Sequence, residues 1–146
     1  MNSIKYYFYL IVHKILIVHY ILNIICKLFM RALLHDNSKF NLDEAKGFIK
    51  IINNKKEGKE YFDVLSLIAK EVNNHYKNNK HHPQHYKNGI DDMELIDIVE
   101  MLCDWQASNS QRHNFGTIEF AISINKNRFN ISNQLSNILL NSVTEK

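Results

Sequence analysis

One proline and four glycines are the only strong chain-breakers in 146 residues. So few breaks leave long periodic stretches intact, which favours an all-α, compact helical bundle over an architecture of strands and turns. Cysteine is nearly as scarce. Cys26 and Cys103 are too few for the disulfide framework of a small secreted domain, and their apolar helical settings predict two buried thiols in a reducing compartment. Large net charge is also lacking: +3 does not by itself argue for a nucleic-acid or membrane partner. Residues 4–34 are very apolar, yet Lys5, His13, Lys14, His19, Asn23 and Lys27 interrupt them at intervals shorter than the ~20 residues of a membrane span. No small-residue cleavage site follows, so a signal peptide fits poorly. The expectation is one long helix, or two in tandem, buried in the core of a cytoplasmic protein with no membrane span.

The composition is that of an ordinary globular chain, 45% apolar and 23% charged. Its length predicts a single domain over residues 1–146, large enough to bury roughly 68–70% of the surface of the unfolded chain. A first helical region runs from Ser3 to Leu34, with a break near Leu22 to Cys26 as an option. Asn41-Leu42-Asp43-Glu44 resembles a capping box and opens a helix to about Ile52. After a polar loop at 53–58, a helix over 60–79 carries Phe62, Leu65, Ile68, Ala69 and Val72 on its buried stripe. His75 continues that stripe three residues past Val72. Pro83 and Gly89 mark a loop. Asp91-Asp92 then opens a helix to about Ala107, with Leu95, Ile96, Val99, Leu102 and Cys103 as its apolar face. Asp97, Glu100 and Asp104 share a second face. Helices near Thr117–Asn127 and Ser132–Val143 close the chain.

The chemistry lies in histidine and acid. His35 and Asp36 are adjacent, His13 precedes them, and His75, His81, His82 and Asp104 follow. Imidazole suits zinc, iron, nickel and copper, while carboxylate adds affinity for manganese and magnesium. A divalent-metal site is the reading, and such a site supports hydrolysis or redox chemistry. Taken alone, the pair reads better as Asp36 capping a turn beside an exposed His35, and the remaining residues of the pattern reverse that judgement.

His35-Asp36-Asn37-Ser38-Lys39 resembles the His-Asp-x-Gly-Lys signature of the HD-domain superfamily, with Ser38 in place of glycine. Three blocks are more specific: Leu34-His35-Asp36-x-Ser38-Lys39-Phe40, Asn79-x-His81-His82-Pro83-x-His85-Tyr86, and Glu100-Met101-Leu102-x-Asp104-Trp105. Together they resemble an uncharacterised bacterial and phage branch known only as a domain of unknown function. The superfamily resemblance implies a helical metal-dependent phosphohydrolase acting on a nucleotide or other phosphate ester. It implies His13, His35, Asp36 and Asp104 as ligands, with His13 preferred to His19 because it lies twenty-two residues before His35. Extra histidines between the pair and the final acid hold a second ion in some members. Here His75 and His82 fill that place, and His81 remains an alternative, with His85 outside the site. One or two ions of manganese, iron, zinc, magnesium, nickel or cobalt are therefore expected, with Asp36 bridging if there are two. Lys39 supplies charge for a phosphate, Glu100 orients a ligand or activates water, and Lys80 and Arg112 are further phosphate contacts. The rival readings are a nucleotide-binding regulatory module and a di-iron oxygenase. Tyr6, Tyr7, Phe8 and Tyr9 read as core or as a homodimer contact, not as a platform for nucleic acid.

Overall fold

The computed structural model describes residues 3–56, 68–111 and 116–144. Every described element is helical, and the contacts divide the chain into two compact units, Met1–Leu34 and His35–Lys146. Phe62 and Leu65, assigned above to a buried stripe, lie outside the described residues.

The first unit is one unbroken helix, α1 (Ser3–Leu34), with no interruption near Leu22 to Cys26. It was expected to be buried in a core, yet none of its residues is buried. Apolar side chains leave it in several directions, with Ile11, Ile15, Val18, Leu22 and Ile25 all exposed together with Leu16 and Tyr20. A helix buries a stripe only against another element, and this unit contains no other. Cys26 is accordingly exposed rather than buried. By length and composition α1 is long and apolar enough to cross a membrane. Core helices of soluble proteins and leader sequences pass the same test.

The second unit carries α2 (Leu42–Lys56), α3 (Ala69–Asn78), α4 (Leu95–Ser110), α5 (Ile118–Arg128) and α6 (Asn133–Val143), with short 3-10 turns at Asn37–Phe40, Pro83–His85 and Gly89–Asp92. Local chemistry sets the ends. Thr117 and Ser132 cap α5 and α6 by accepting from the backbone N–H groups of Phe120 and Leu135, each cap contributing about 1 kcal/mol. Glu94 and Asp97 form a reciprocal capping box at the start of α4. That places the start after the Asp91-Asp92 pair, which instead belongs to the Gly89–Asp92 turn. Ile90, Met101, Leu102, Ile122, Ile131 and Leu139 make the core, with Trp105, Phe129 and Leu140 packed against it.

The apolar face assigned to α4 holds at Leu102 and fails at two positions. Leu95 is 66% exposed and Cys103 is exposed, whereas Asp97 and Glu100 are buried. The core side of α4 is fixed by Met101 and Leu102, and the acids beside Met101 turn inward because buried partners are there to pair with them.

Candidate metal centre

Asp36 has left-handed backbone, φ 54° and ψ 22°, a conformation that Asp tolerates better than most L residues. The turn that follows is closed by Lys39 N–H donating to Asp36 O at 2.8 Å. Lys39 thereby folds back over the residue before the turn. Its ammonium donates to Asp36 Oδ2 and stands 5.0 Å from the centre of the Phe48 ring.

α3 presents His75 to the same place, continuing inward from Ile68 and Val72. Gly47 permits α2 to approach closely, since a Cβ there would meet Glu71 side-chain carbons at 2.9 Å. One turn earlier on α2, Glu44 reaches Asn74 and His75 across this narrow gap. Glu44 was read as the reciprocal member of a capping box. Its carboxylate instead turns into the interior, where the residue is 1% exposed.

α3 stops at Asn78, and Asn79 and His82 have extended backbone. The residue before a proline is pushed out of the helical region by the ring, and Pro83 opens the next turn. His81 was expected only as an alternative to His82. Because the helix ends first, both His81 and His82 enter the site, His81 at 1% exposure. Tyr86 then donates to Asp97 Oδ2 at 2.6 Å. This ties the turn to the first turn of α4 and sets Glu100 and Asp104 one and two turns further along.

Three sets of side chains lie close enough to share a cation: Asp36 with His75, His81 and His82; His35 with Asp36 and Asp104; and His35 with His81 and Glu100. In the first, His75 Nε2 lies 2.9 Å from His82 Nε2 and 3.4 Å from Asp36 Oδ1, and His81 Nε2 lies 3.4 Å from the same oxygen. Ligand atoms about 2.1 Å from one ion stand about 3.0 Å apart at a right angle and about 3.4 Å apart at the tetrahedral angle. The spacings fit a single ion. The second set is looser, with His35 Nε2 at 3.5 Å from Asp36 Oδ2 and 3.7 Å from Asp104 Oδ1. Asp36 offers one oxygen to each set.

The far sides of the imidazoles are backed by carboxylates. Glu100 Oε1 lies 2.9 Å from His35 Nδ1 and 3.3 Å from His81 Nδ1. Glu44 Oε2 lies 3.4 Å from His75 Nδ1. Both amide hydrogens of Asn79 are occupied by Ser38 Oγ and His75 O, each at 2.8 Å. The His75 Nδ1 hydrogen is therefore assigned to Ser38 Oγ or Glu44, which leaves the Nε2 lone pair facing Asp36. Carboxylate-backed imidazole is the usual outer shell of a metal-binding histidine. The third set, with Glu100 among its members, reads as this backing shell.

Charge differs sharply across the cluster. Burial lowers the pKa of His82 to about 3, with repulsion from His81 and His75 adding to it. Burial also lowers that of His75. His35 goes the other way, to about 10, held protonated by the carboxylates of Asp104 and Glu100. Burial opposes ionisation of Asp36, but the Lys39 hydrogen bond and charge, with His35 and His75, outweigh it and lower its pKa. Asp104 is lowered likewise, burial being outweighed by His35 and its neighbours.

His35, Asp36, His75, His81, His82, Glu100 and Asp104 are thus assembled in one place. His13 belongs to the first unit, on α1, where it stacks with Tyr9 at 6.3 Å between ring centres. Lys80 is exposed in the turn after α3. Arg112 lies outside the described residues. His85 donates its Nδ1 hydrogen to Tyr76 O at 3.1 Å and so is used structurally. Glu44 and Asn79 are the contributors that sequence reasoning missed. Asn79 leads the quoted histidine block, which was the available signal.

Residues 2–145 match the model of a family described as Family of unknown function (DUF5662). The chain belongs to that family. No curated protein and no solved structure matches the DUF5662 chain.

Proposed function

We propose that this DUF5662 protein is an HD-like phosphohydrolase whose centre takes two divalent ions and cleaves a nucleotide or other phosphate ester. The observation that carries the reading is a pair of buried polar atoms without hydrogen-bond partners, Asp36 Oδ1 and His81 Nε2, which face each other at 3.4 Å. Leaving such groups unpaired costs about 1–3 kcal/mol each, and more when charged. A cation between them removes the cost. His75, His81, His82 and Asp36 Oδ1 would hold one ion; His35, Asp36 Oδ2 and Asp104 would hold the other. Three imidazoles suit zinc, iron, cobalt or nickel, and the carboxylate-rich half also accommodates manganese or magnesium. When bound, the ions supply a water of lowered pKa and neutralise charge on phosphoryl oxygens.

The protein's own groups do the rest. Asp36 fixes the two positions relative to each other through its two oxygens. Glu100 and Glu44 keep hydrogens on the outer ring nitrogens, so that the inner lone pairs face the reacting centre. In this role Glu100 orients ligands. Lys39, 41% exposed and anchored by Asp36, offers an ammonium at the rim to a phosphoryl oxygen. In the reaction a water oxygen bonds to phosphorus, the P–O ester bond breaks, and the leaving oxygen takes a proton to depart as an alcohol.

The test is metal analysis of purified protein together with phosphate release from nucleotides and phosphodiesters in manganese, magnesium or zinc, with Asp36→Asn as control. Metal-dependent release that Asp36→Asn abolishes is the expected result. Metal-loaded protein that cleaves none of them sinks the reading. Tight nucleotide binding without release would point instead to a regulatory module, and bound iron with oxygen uptake to an oxygenase.

A further inference from the structure

His82 and Asp104 each belong to two features. Besides facing the cation-binding sets, they line one part of a cleft of about 340 Å3. That volume lies within the ~300–1,000 Å3 of small-molecule sites. The remaining lining differs in kind from the ligand cluster. Tyr76 stands 5.0 Å from the His82 ring, and Trp105 lies parallel to Phe129, 6.3 Å between centres and 8° apart in plane. Phe120, 55% exposed, adds an uncovered ring on the α5 side.

Polar groups are interleaved with these rings. Asn109 donates its amide hydrogen to Gly116 O and Asn125 to Ala121 O. Both side chains line the cleft, and this donation leaves their amide oxygens as acceptors. Arg128, its guanidinium 4.7 Å from the Phe129 ring centre, is the formal cation of the described lining. Flat apolar faces select a flat ring, and the interspersed acceptors suit a ring that carries N–H groups. An aliphatic chain or a sugar alone would use neither.

We propose that this cleft seats the organic part of the substrate, and that this part is a nitrogen heteroaromatic ring, as in a nucleoside 5′-monophosphate. The phosphate would lie toward the His82–Asp104 end. That orientation rests on the hydrolytic reading above, whereas ring binding does not. Aromatic stacking contributes enough per base to be read directly, and it tolerates differences between bases.

Trp105 is the chain's one tryptophan, so its fluorescence reports on the cleft without a label. The experiment titrates intact protein with adenosine 5′-monophosphate in the presence of a chelator, which prevents turnover, with ribose 5-phosphate as the ringless control. Saturable quenching by the nucleotide and none by the control is expected. Phe120→Ala, at an exposed position, should raise the Kd about tenfold or more, and Asn125→Ala should raise it by a smaller factor. Absence of saturable quenching by millimolar nucleotide, or quenching indifferent to both substitutions, overturns the proposal. Metal-dependent hydrolysis of a small phosphate ester with no quenching would remove the cleft assignment and leave the hydrolytic reading standing. Quenching that responds to both substitutions, in a protein that hydrolyses nothing, would support the cleft and remove the hydrolytic reading.

Discussion

The two halves of the His/Asp cluster share Asp36 yet are prepared for a cation in opposite ways. Around Asp36 Oδ1 stand three imidazoles, with two atoms unpartnered and the pKa values of His75 and His82 lowered by burial. Around Asp36 Oδ2 two protein cations are already in place. His35 is held as a cation by Asp104 and Glu100, and Lys39 pairs with the oxygen itself. His75 and His82 in the first half have lowered pKa values, so an ion would meet less competition from protons there. The second half must give up a proton or a lysine contact first. On this contrast the imidazole-rich half would fill first and the carboxylate-rich half second, if the proposed ions bind.

The largest effect is expected where the halves meet. Asp36→Ala should cost both ions, bringing the metal content from two per chain to none. Turnover should fall by more than the roughly 10–100-fold typical of losing an outer-shell partner. Retention of two ions in that variant would break the comparison at its root. Separate removal sharpens it. His75→Ala should leave a protein that binds one ion weakly, and His35→Ala one that binds one ion tightly, both read by titration calorimetry. Equal affinities in the two variants would erase the distinction.

A middle-sized effect comes from protons. A metal needs the neutral ring, and His35, with a pKa of about 10, is protonated below that value. Each unit by which pH falls below about 10 should therefore weaken apparent binding in the second half about tenfold. Filling that half at pH 7 should release about one proton. His82, with a pKa of about 3, is already neutral throughout pH 5 to 8, so it adds no such slope to the first half. Calorimetry in buffers of different ionisation enthalpy counts the protons. Equal release from both steps contradicts the assignment.

How much of this was legible in the sequence depends on what each signal encodes. His75 was placed inward by its spacing from Val72, because helical period carries facing directly. All-helical structure followed from the scarcity of breakers for the same reason. Glu44 was not legible as an interior group. The Asn41–Glu44 spacing marks a helix start, and it does not say whether the glutamate turns back or turns in. Gly47, which lets α3 come close, was the missing clue. His81 stayed an alternative to His82 because its facing depended on where the helix ends, which is at Asn78. On α4 the apolar count misled, because Asp97 and Glu100 are buried by partners distant in sequence, Tyr86 and His35. α1 shows the converse: apolar sequence proposes burial, and burial needs a second surface.

The smallest effects should come from the two backing carboxylates, and their pH dependence should differ. Among the cluster's histidines Glu44 backs His75, so Glu44→Gln should weaken the first half by roughly 10-fold, at the low end of outer-shell effects, and equally at pH 7 and pH 9. Glu100 plays two roles, since it orients His35 and His81 and also helps keep His35 protonated. Glu100→Gln removes orientation, which weakens binding at any pH. It also lowers the His35 pKa, which relieves the competing proton wherever that proton is bound. The two consequences oppose each other at pH 7 and oppose less as pH approaches 10, where His35 is already losing its proton. The measured loss in affinity of the second half should therefore be smaller at pH 7 than at pH 9. A loss that shrinks toward pH 9 would mean that Glu100 does not govern the charge on His35, and the contrast between the halves would need another cause.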